Sequence, residues 1–428
     1  MYFGLMIAIF VIGYAMIALE HPLKINKSAT AVLLAAVIWA VFALFGPGIK
    51  DGALIHHLGE TAEILFFLLG AMTIVEIVDK HDGFSIITDR ITTTSKRKLL
   101  WIISILTFFM SAVLDNLTTS IVMCALLRKL VGDKNTRWFF AGMVILAANA
   151  GGAWSPIGDV TTIMLWIKGN ITAGNIILET IIPSLVSLLV PVAIIGMTMK
   201  GKLERPEKTE SEETSTVTRK QSLIILIMGV GLLLFVPFFK TITHLPPYLG
   251  ILFGLGILWI TTEIMHKNNP TNYSRLNVTA IIQKVDVPSV LFFLGILMAV
   301  SCLNEAGHLG QLAGALNELG NVYVINIVIG VLSSIIDNVP LVAAAMGMYP
   351  IEAIGNFAVD GAFWEGLAYC AGTGGSLLII GSAAGVAVMG MEKIDFIWYL
   401  KKISLWALIG YLAGAGTFYL MSTLIFHA

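Results

Sequence analysis

Charge is scarce in this chain. Of its 428 residues only 12% are Asp, Glu, Lys or Arg, whereas 57% are hydrophobic. A water-facing shell takes roughly 25–35% ionic residues, so a soluble globular surface is excluded. Cysteine is scarcer still. Cys124, Cys302 and Cys370 each sit in an apolar segment, which speaks against a disulfide frame or a thiolate metal cluster. The eight histidines show no metal-ligand spacing. The basic residues are scattered through loops, without the patch that nucleic acid needs. The opening MYFGLMIAIFVIGYAMIALE lacks the basic start and small-residue cleavage site of a signal peptide and reads as a retained first span.

Apolar length is what the chain has in abundance. Segments fall near 1–19, 28–49, 58–78, 99–127, 138–167, 176–199, 222–239, 246–265, 286–304, 321–348, 364–391 and 403–426. A run of about 20 apolar residues crosses a hydrocarbon core of about 30 Å, so the fold class expected is an all-α polytopic membrane protein. LERPEKTESEETSTVTRK at 203–220 is polar and without periodicity. It reads as a flexible cytoplasmic linker between a first half at 1–202 and a second at 221–428.

Lysine and arginine collect on the cytoplasmic side of a membrane. The loop at 79–98 carries Lys80, Arg90, Lys96, Arg97 and Lys98; the loop at 128–137 carries Arg128, Lys129, Lys134 and Arg137. Both claim the cytoplasm, yet a crossing between them would separate them. The conflict goes if 99–127 is a re-entrant hairpin with its tip near Asp115. Segment 321–348, whose flanking loops hold no Lys or Arg, then enters from outside. Ten crossings plus two opposed hairpins, with both termini outside, leave only Lys50, Lys168 and Lys240 of the 26 basic residues external.

The halves also resemble each other. EILFFLLGAM (63–72) matches SVLFFLGILM (289–298), SAVLDNLTTS (111–120) matches SSIIDNVPLV (333–342), and NAGGAWSPIGD (149–159) matches CAGTGGSLLIIG (370–381), at offsets of about 226, 222 and 221. One half starts outside and the other inside, so each is expected to form one copy of an inverted repeat: five transmembrane helices plus one re-entrant hairpin. Secondary transporters carry such repeats and bind their cargo near the midplane, where broken helices meet.

An ionised carboxylate at mid-membrane costs about 2.5–3.5 kcal/mol. Asp115, Asp159 and Asp337 are each the only charged residue of an apolar segment, and no Lys or Arg shares those segments, so a mobile cation is the expected counter-charge. Ser111, Asn116, Thr118, Thr119 and Ser120 surround the first; Ser333, Ser334 and Asn338 surround the third. Oxygen ligands of this kind suit a small hard cation. Asp-Asn also favours a turn, and Pro340 marks the second break. The plainer reading is that each Asp-Asn caps a hairpin arm. Two glycines, Pro156 and Gly158 should interrupt the fifth segment beside Ser155 and Asp159. The counterpart at 371–382 is glycine-broken too and offers Thr373, Ser376 and Ser382 but no acid, so an asymmetric site is expected. Glycine-mediated helix packing is the alternative there. Glu63, Glu76 and Glu305 read as solvated span ends, with Glu76 the first to watch as a proton relay.

At SAVLDNLTTSIVM, SSIIDNVPLVAAA and GGAWSPIGDVTT the chain is similar to the NhaD-type sodium/proton antiporters of the ion transporter superfamily, over nearly its whole length. The resemblance implies an elevator-type fold, commonly homodimeric, in the cell inner membrane. It implies Na+ and H+ as cargo and no cofactor. It implies that Asp115, Asn116, Thr118, Asp159, Asp337 and Asn338 stand at site positions, with Na+ at the three aspartates and Ser111, Ser155, Ser333 and Ser376 in support. The second half lacks the acid and threonine of the first. Two other readings stand beside this one: Na+-coupled transport of dicarboxylates or oxyanions on the same architecture, and an intramembrane aspartyl protease using Asp115 and Asp159, for which PIGD at 156–159 is a near match.

Overall fold

The computed structural model describes residues 2–88, 90–203, 217–267 and 275–426. Every apolar segment read from the sequence is helical there. The first half holds α1 (Tyr2–Ala18), α2 (Lys27–Phe45), α3 (Ala53–Lys80), the pair α4 (Lys96–Leu114) and α5 (Asn116–Leu130), the pair α6 (Lys134–Gly152) and α7 (Val160–Ile167), and α8 (Ala173–Thr198). The second holds α9 (Arg219–Thr243), α10 (Pro247–His266), α11 (Val287–Glu305), α12 (His308–Asn317), the pair α13 (Val322–Leu332) and α14 (Asn338–Met348), the pair α15 (Ala362–Gly374) and α16 (Ala383–Glu392), and α17 (Ser404–Met421). Of the linker expected at 203–220, residues 204–216 lie outside the described residues, while Thr218 caps α9 and Arg219 and Lys220 open it.

Helices begin where a polar cap precedes an apolar run. Asn26, Ser95, Asp133 and Thr172 each accept a backbone N–H from the first turn, and Thr218 with Gln221 closes a capping box. Among the described residues eight helices are long and apolar enough to cross a membrane, or nine if a bent pair counts as one span. The protein is therefore a polytopic helical membrane protein. Continuous spans number fewer than the segments because breaks split four of them, only α4 remaining long and apolar enough to count, and because α1 is short.

α12 was not foreseen. The stretch 305–320 reads as a loop because it is short, rich in Gly and Ala, and free of Lys and Arg. It forms a helix that meets α13 at a bend of 120°.

Packing sorts the long helices into two groups. α1, α2, α3, α9, α10 and α11 pack on one another, with α2 lying along α11; α4 to α8 and α13 to α17 pack on one another, with α8 lying along α17. The groups meet chiefly where α11 touches α14, α3 touches α7 and α9 touches α4. All the broken helices belong to the second group. Their mutual approach is close. Gly151 in α6 lies against the Phe108 carbonyl of α4, and Gly374 in α15 lies against the Gly330 carbonyl of α13, where any Cβ would collide with backbone. The same small-residue contact is thus made once in each half.

Candidate functional site

Four helix breaks bring four side chains to the starts of four half-helices. Asp115 precedes α5, Asp159 precedes α7, Asp337 precedes α14 and Ser382 precedes α16, and each accepts a backbone N–H from the helix it opens. The capping reading of Asp-Asn is therefore correct as far as it goes. A helix start also carries about half a positive charge and unsatisfied N–H groups, which favour a carboxylate there. α5 packs on α16 and α7 on α14, so the four starts come from both halves.

Asp159 is the hub. It is 1% exposed. Its Oδ1 accepts from the Thr161 N–H at 2.9 Å and the Thr161 hydroxyl at 2.9 Å. Its Oδ2 accepts from the Asn116 amide, and the Asn338 amide approaches both oxygens, at 3.4 and 3.3 Å. Asn116 belongs to one hairpin and Asn338 to the other, so the acid of the broken helix is held by both tips. Hydrogen bonds to a charged group contribute about 1.5–3 kcal/mol each. Several together offset a mid-membrane carboxylate without any bound cation: a buried hydrogen-bond network is, beside a cation or a proton, one of the compensations such an acid can have.

Asp115 turns to its own helix. It accepts the Thr118 N–H at 2.9 Å and the Thr118 hydroxyl at 2.9 Å. Its backbone stands at φ 68°, ψ 160°, a region left almost entirely to glycine and costing about 1–3 kcal/mol elsewhere. Asp337 is not isolated, contrary to the expectation that no basic residue pairs with the three acids. Lys27, at the start of α2, places its Nζ 3.8 Å from the carboxylate. Lys27 reads in sequence as a loop residue, and only folding brings α2 beside the second tip. Asp115 and Asp337 both act electrostatically on Asp159. Among the described residues no three Asp, Glu, His or Cys side chains converge as a metal cage; the arrangement is one buried carboxylate between two amides, flanked by two more acids.

The serines fix the frame. Ser111 donates to the Ala148 carbonyl at 2.6 Å, Ser155 to Ala112 at 2.6 Å, and Ser333 to Ala371 at 2.8 Å, each stitching a hairpin to a broken helix. Ser376 and Ser382 accept from Asn149 Nδ2, both at 2.9 Å, while Asn149 Oδ1 accepts from the Asn116 amide at 3.1 Å. Asn149 thus ties the second half to the hub. Sequence reasoning passed over it, although an asparagine inside LAANAGG carries the same signal as an aspartate in lipid. Of the glutamates, Glu76 pairs with Lys80 at 3.2 Å, and Glu305 with Lys50 at 3.3 Å and His57 at 3.6 Å. They are span-end ion pairs away from the hub.

Two openings flank the site. A cavity of about 190 Å³ is lined by Glu20, Lys27, Asp286, Leu117 and Ala383, the last two adjoining Asn116 and Ser382. A cavity of about 280 Å³ is lined by His57, Glu60, Lys168, Met164 and Met346, and so reaches the far ends of α7 and α14.

Half-helices that aim their starts and acidic caps at one buried point, within a bundle of membrane-crossing helices, define a secondary transporter. The family described as "Citrate transporter" matches residues 14–365. "Sodium/proton antiporter 1" of Arabidopsis thaliana is 48% identical over 427 residues, spanning 99% of this chain and 73% of the relative. "Sodium/proton antiporter 2" of the same plant is 45% identical over 419 residues, 96% and 98% of the two chains. "Na(+)/H(+) antiporter NhaD" of Alkalimonas amylolytica is 32% identical over 456 residues, 98% and 91%. The chain belongs to the citrate-transporter family and, within it, to the NhaD-type sodium/proton antiporters of the ion transporter superfamily. It is a transporter rather than an enzyme, and the proteolytic reading falls: the relatives are antiporters, and Asp115 and Asp159 each turn to their own helix starts.

Proposed function

We propose that the protein exchanges cytoplasmic Na+ for external H+ at Asp159, with Asp115 and Asp337 as flanking carboxylates. The observation that carries this reading is the convergence of Asn116 and Asn338, one from each hairpin, on a single buried acid. A carboxylate in such a place is neutralised equally by a proton or by Na+, so the two exclude each other. Each asparagine amide has a donor end and an acceptor end. With the amide nitrogens turned inward the pair holds a bare carboxylate. A half-turn of either presents Oδ1 instead, adding oxygens to those of Asp159 around a sodium ion. Only neutralised states cross cheaply between the two faces, which couples the two ions. Lowering the pH then inhibits Na+ transport by competition.

The movement is of the elevator type, with the group of broken helices sliding against the other group; the sparse contacts between the groups support this. The topology is ten crossings and two opposed hairpins, in an inverted repeat, within the cell inner membrane and with both termini outside. In support, these ion pairs join span ends assigned to the same side: Glu392 with Arg128 and Arg137 within, Lys168 with Glu60 and Lys50 with Glu305 without. The recurrence of the Ser111–Ala148 bond as Ser333–Ala371 supports the repeat. By likeness to its family the protein works as a homodimer without a cofactor.

Everted vesicles holding a respiration-driven pH gradient test the reading. Added Na+ dissipates the gradient with the wild type and fails to do so with Asp115→Asn or Asp337→Asn. A sodium flux without proton coupling at every pH would overturn it.

A further inference from the structure

We propose that Lys27 is a tethered counter-cation of the transport cycle: its ammonium holds Asp337 in the unloaded carrier and is displaced when Na+ enters. The inference rests on the exchange reading above and names a residue that reading does not need.

The geometry places a fixed positive charge where a diffusing one should arrive. Lys27 Nζ lies 3.8 Å from Asp337 Oδ2, with the two side chains 17% and 10% exposed. The same ammonium sits 4.5 Å over the Phe292 ring, a second attraction for a cation. It is not on a loose loop. Lys27 opens α2, its N–H donates to Glu20 at 3.1 Å, and the next residue, Ser28, donates to the Pro288 carbonyl at 2.6 Å. The lysine is therefore anchored to the group of α1, α2 and α11, whereas Asp337 belongs to the group of broken helices. Tyr14 in α1 makes a second link between the groups, accepting the Asp337 N–H at 2.8 Å.

The lysine of the pair also faces a cavity. Lys27 lines the cavity of about 190 Å³ together with Glu20 and Asp286, and Leu117 and Ala383, the chain neighbours of Asn116 and Ser382, line it as well. Two acids at the mouth attract cations. A sodium ion entering there meets the Lys27–Asp337 pair before it reaches Asp159 and competes with the ammonium for the carboxylate. An ammonium on a flexible stem suits this role, because it neutralises the acid without leaving with the cargo. Displacing it also breaks a link between the two helix groups, so loading and release of movement become one event.

Removal of the lysine should therefore tighten Na+ binding while slowing exchange, a split that general damage to the fold would not produce. The test uses purified protein titrated with NaCl by calorimetry, and the same protein in proteoliposomes for exchange. Lys27→Met should bind Na+ about tenfold more tightly and exchange it at least several-fold more slowly, and Lys27→Arg should stay within about twofold of wild type. In the wild type itself, acetylation of Lys27 by a water-soluble ester, read by mass spectrometry, should rise when NaCl replaces choline chloride. That second readout stands even if Lys27→Met fails to fold. Unchanged or weaker Na+ binding in Lys27→Met, or labelling indifferent to Na+, overturns the proposal. Absence of exchange in the wild type would instead sink the reading beneath it.

Discussion

Replacing Asn149 with alanine tests whether the two halves are joined through the hub. Its side chain makes three hydrogen bonds: Nδ2 to Ser376 Oγ and Ser382 Oγ, each at 2.9 Å, and Oδ1 from Asn116 at 3.1 Å. All four residues are buried, so no water takes over the lost partners at no cost. A hydrogen bond contributes about 0.5–1.5 kcal/mol net, and a buried group left unpaired costs about 1–3 kcal/mol. Asn116 keeps its bond to Asp159, and the serine hydroxyls can turn to other acceptors, which puts the loss near 2–4 kcal/mol. The chemistry should suffer more than the stability. Asn116 is positioned for Asp159 only because Asn149 holds its other flank, so the exchange rate in proteoliposomes should fall at least tenfold while unfolding in detergent shifts by only a few degrees. An N149A protein that exchanges at the wild-type rate would refute the idea that this bridge positions the site.

Other residues give independent tests. Asp115→Gly gives up a cap that glycine replaces at a cost of only a few tenths of a kcal/mol and relieves strain of about 1–3 kcal/mol, so the variant should unfold at or slightly above the wild-type temperature yet show no exchange in everted vesicles. Glu392, whose carboxylate is 1% exposed, accepts from Arg128 at 2.6 Å and Arg137 at 2.8 Å. Glu392→Ala should cost about 2–3 kcal/mol in thermal unfolding, because two arginines lose a charged partner together. At the end of α3, burial holds the His81 imidazole below its ordinary pKa. Its Nδ1 stands 2.7 Å from the Ile77 carbonyl, its Nε2 3.0 Å from His266, and Asp82 acts on it electrostatically. The neutral ring is therefore the form that folding favours. Its contribution is complete above the ordinary histidine pKa of about 6.5 and is lost as pH falls through the lowered value. The stability difference between wild type and His81→Asn, followed by unfolding from pH 8 to pH 5, should shrink on acidification; a constant difference would contradict this.

The helical spans were legible because lipid enforces a simple rule: a span needs length and an apolar run. The paired breaks were legible for a related reason, since Asp-Asn and a glycine-proline cluster make no sense in an uninterrupted apolar helix. Asp115, Asp159 and Asp337 accordingly fall where sequence put them, each at a helix start. What sequence could not show is who faces whom. Lys27 looked like an ordinary loop lysine because its distance from Asp337 along the chain hides a contact made only when α2 packs on α11. Asn149 was hidden for the opposite reason: it is uncharged, and a search for uncompensated charge passes over an amide. α12 was missed because a helix that need not span the membrane needs no long apolar run.

In the proposed exchange one buried carboxylate, Asp159, is claimed in turn by a proton and by a sodium ion. Adding NaCl to purified protein in weakly buffered solution, with a pH electrode or dye, tests this directly. Binding should release protons in the wild type, with a yield that rises as the starting pH is lowered toward the point where the site is half protonated, and no release should follow in Asp159→Asn. Sodium binding that liberates no proton at any starting pH, or an undiminished release from Asp159→Asn, would contradict the account.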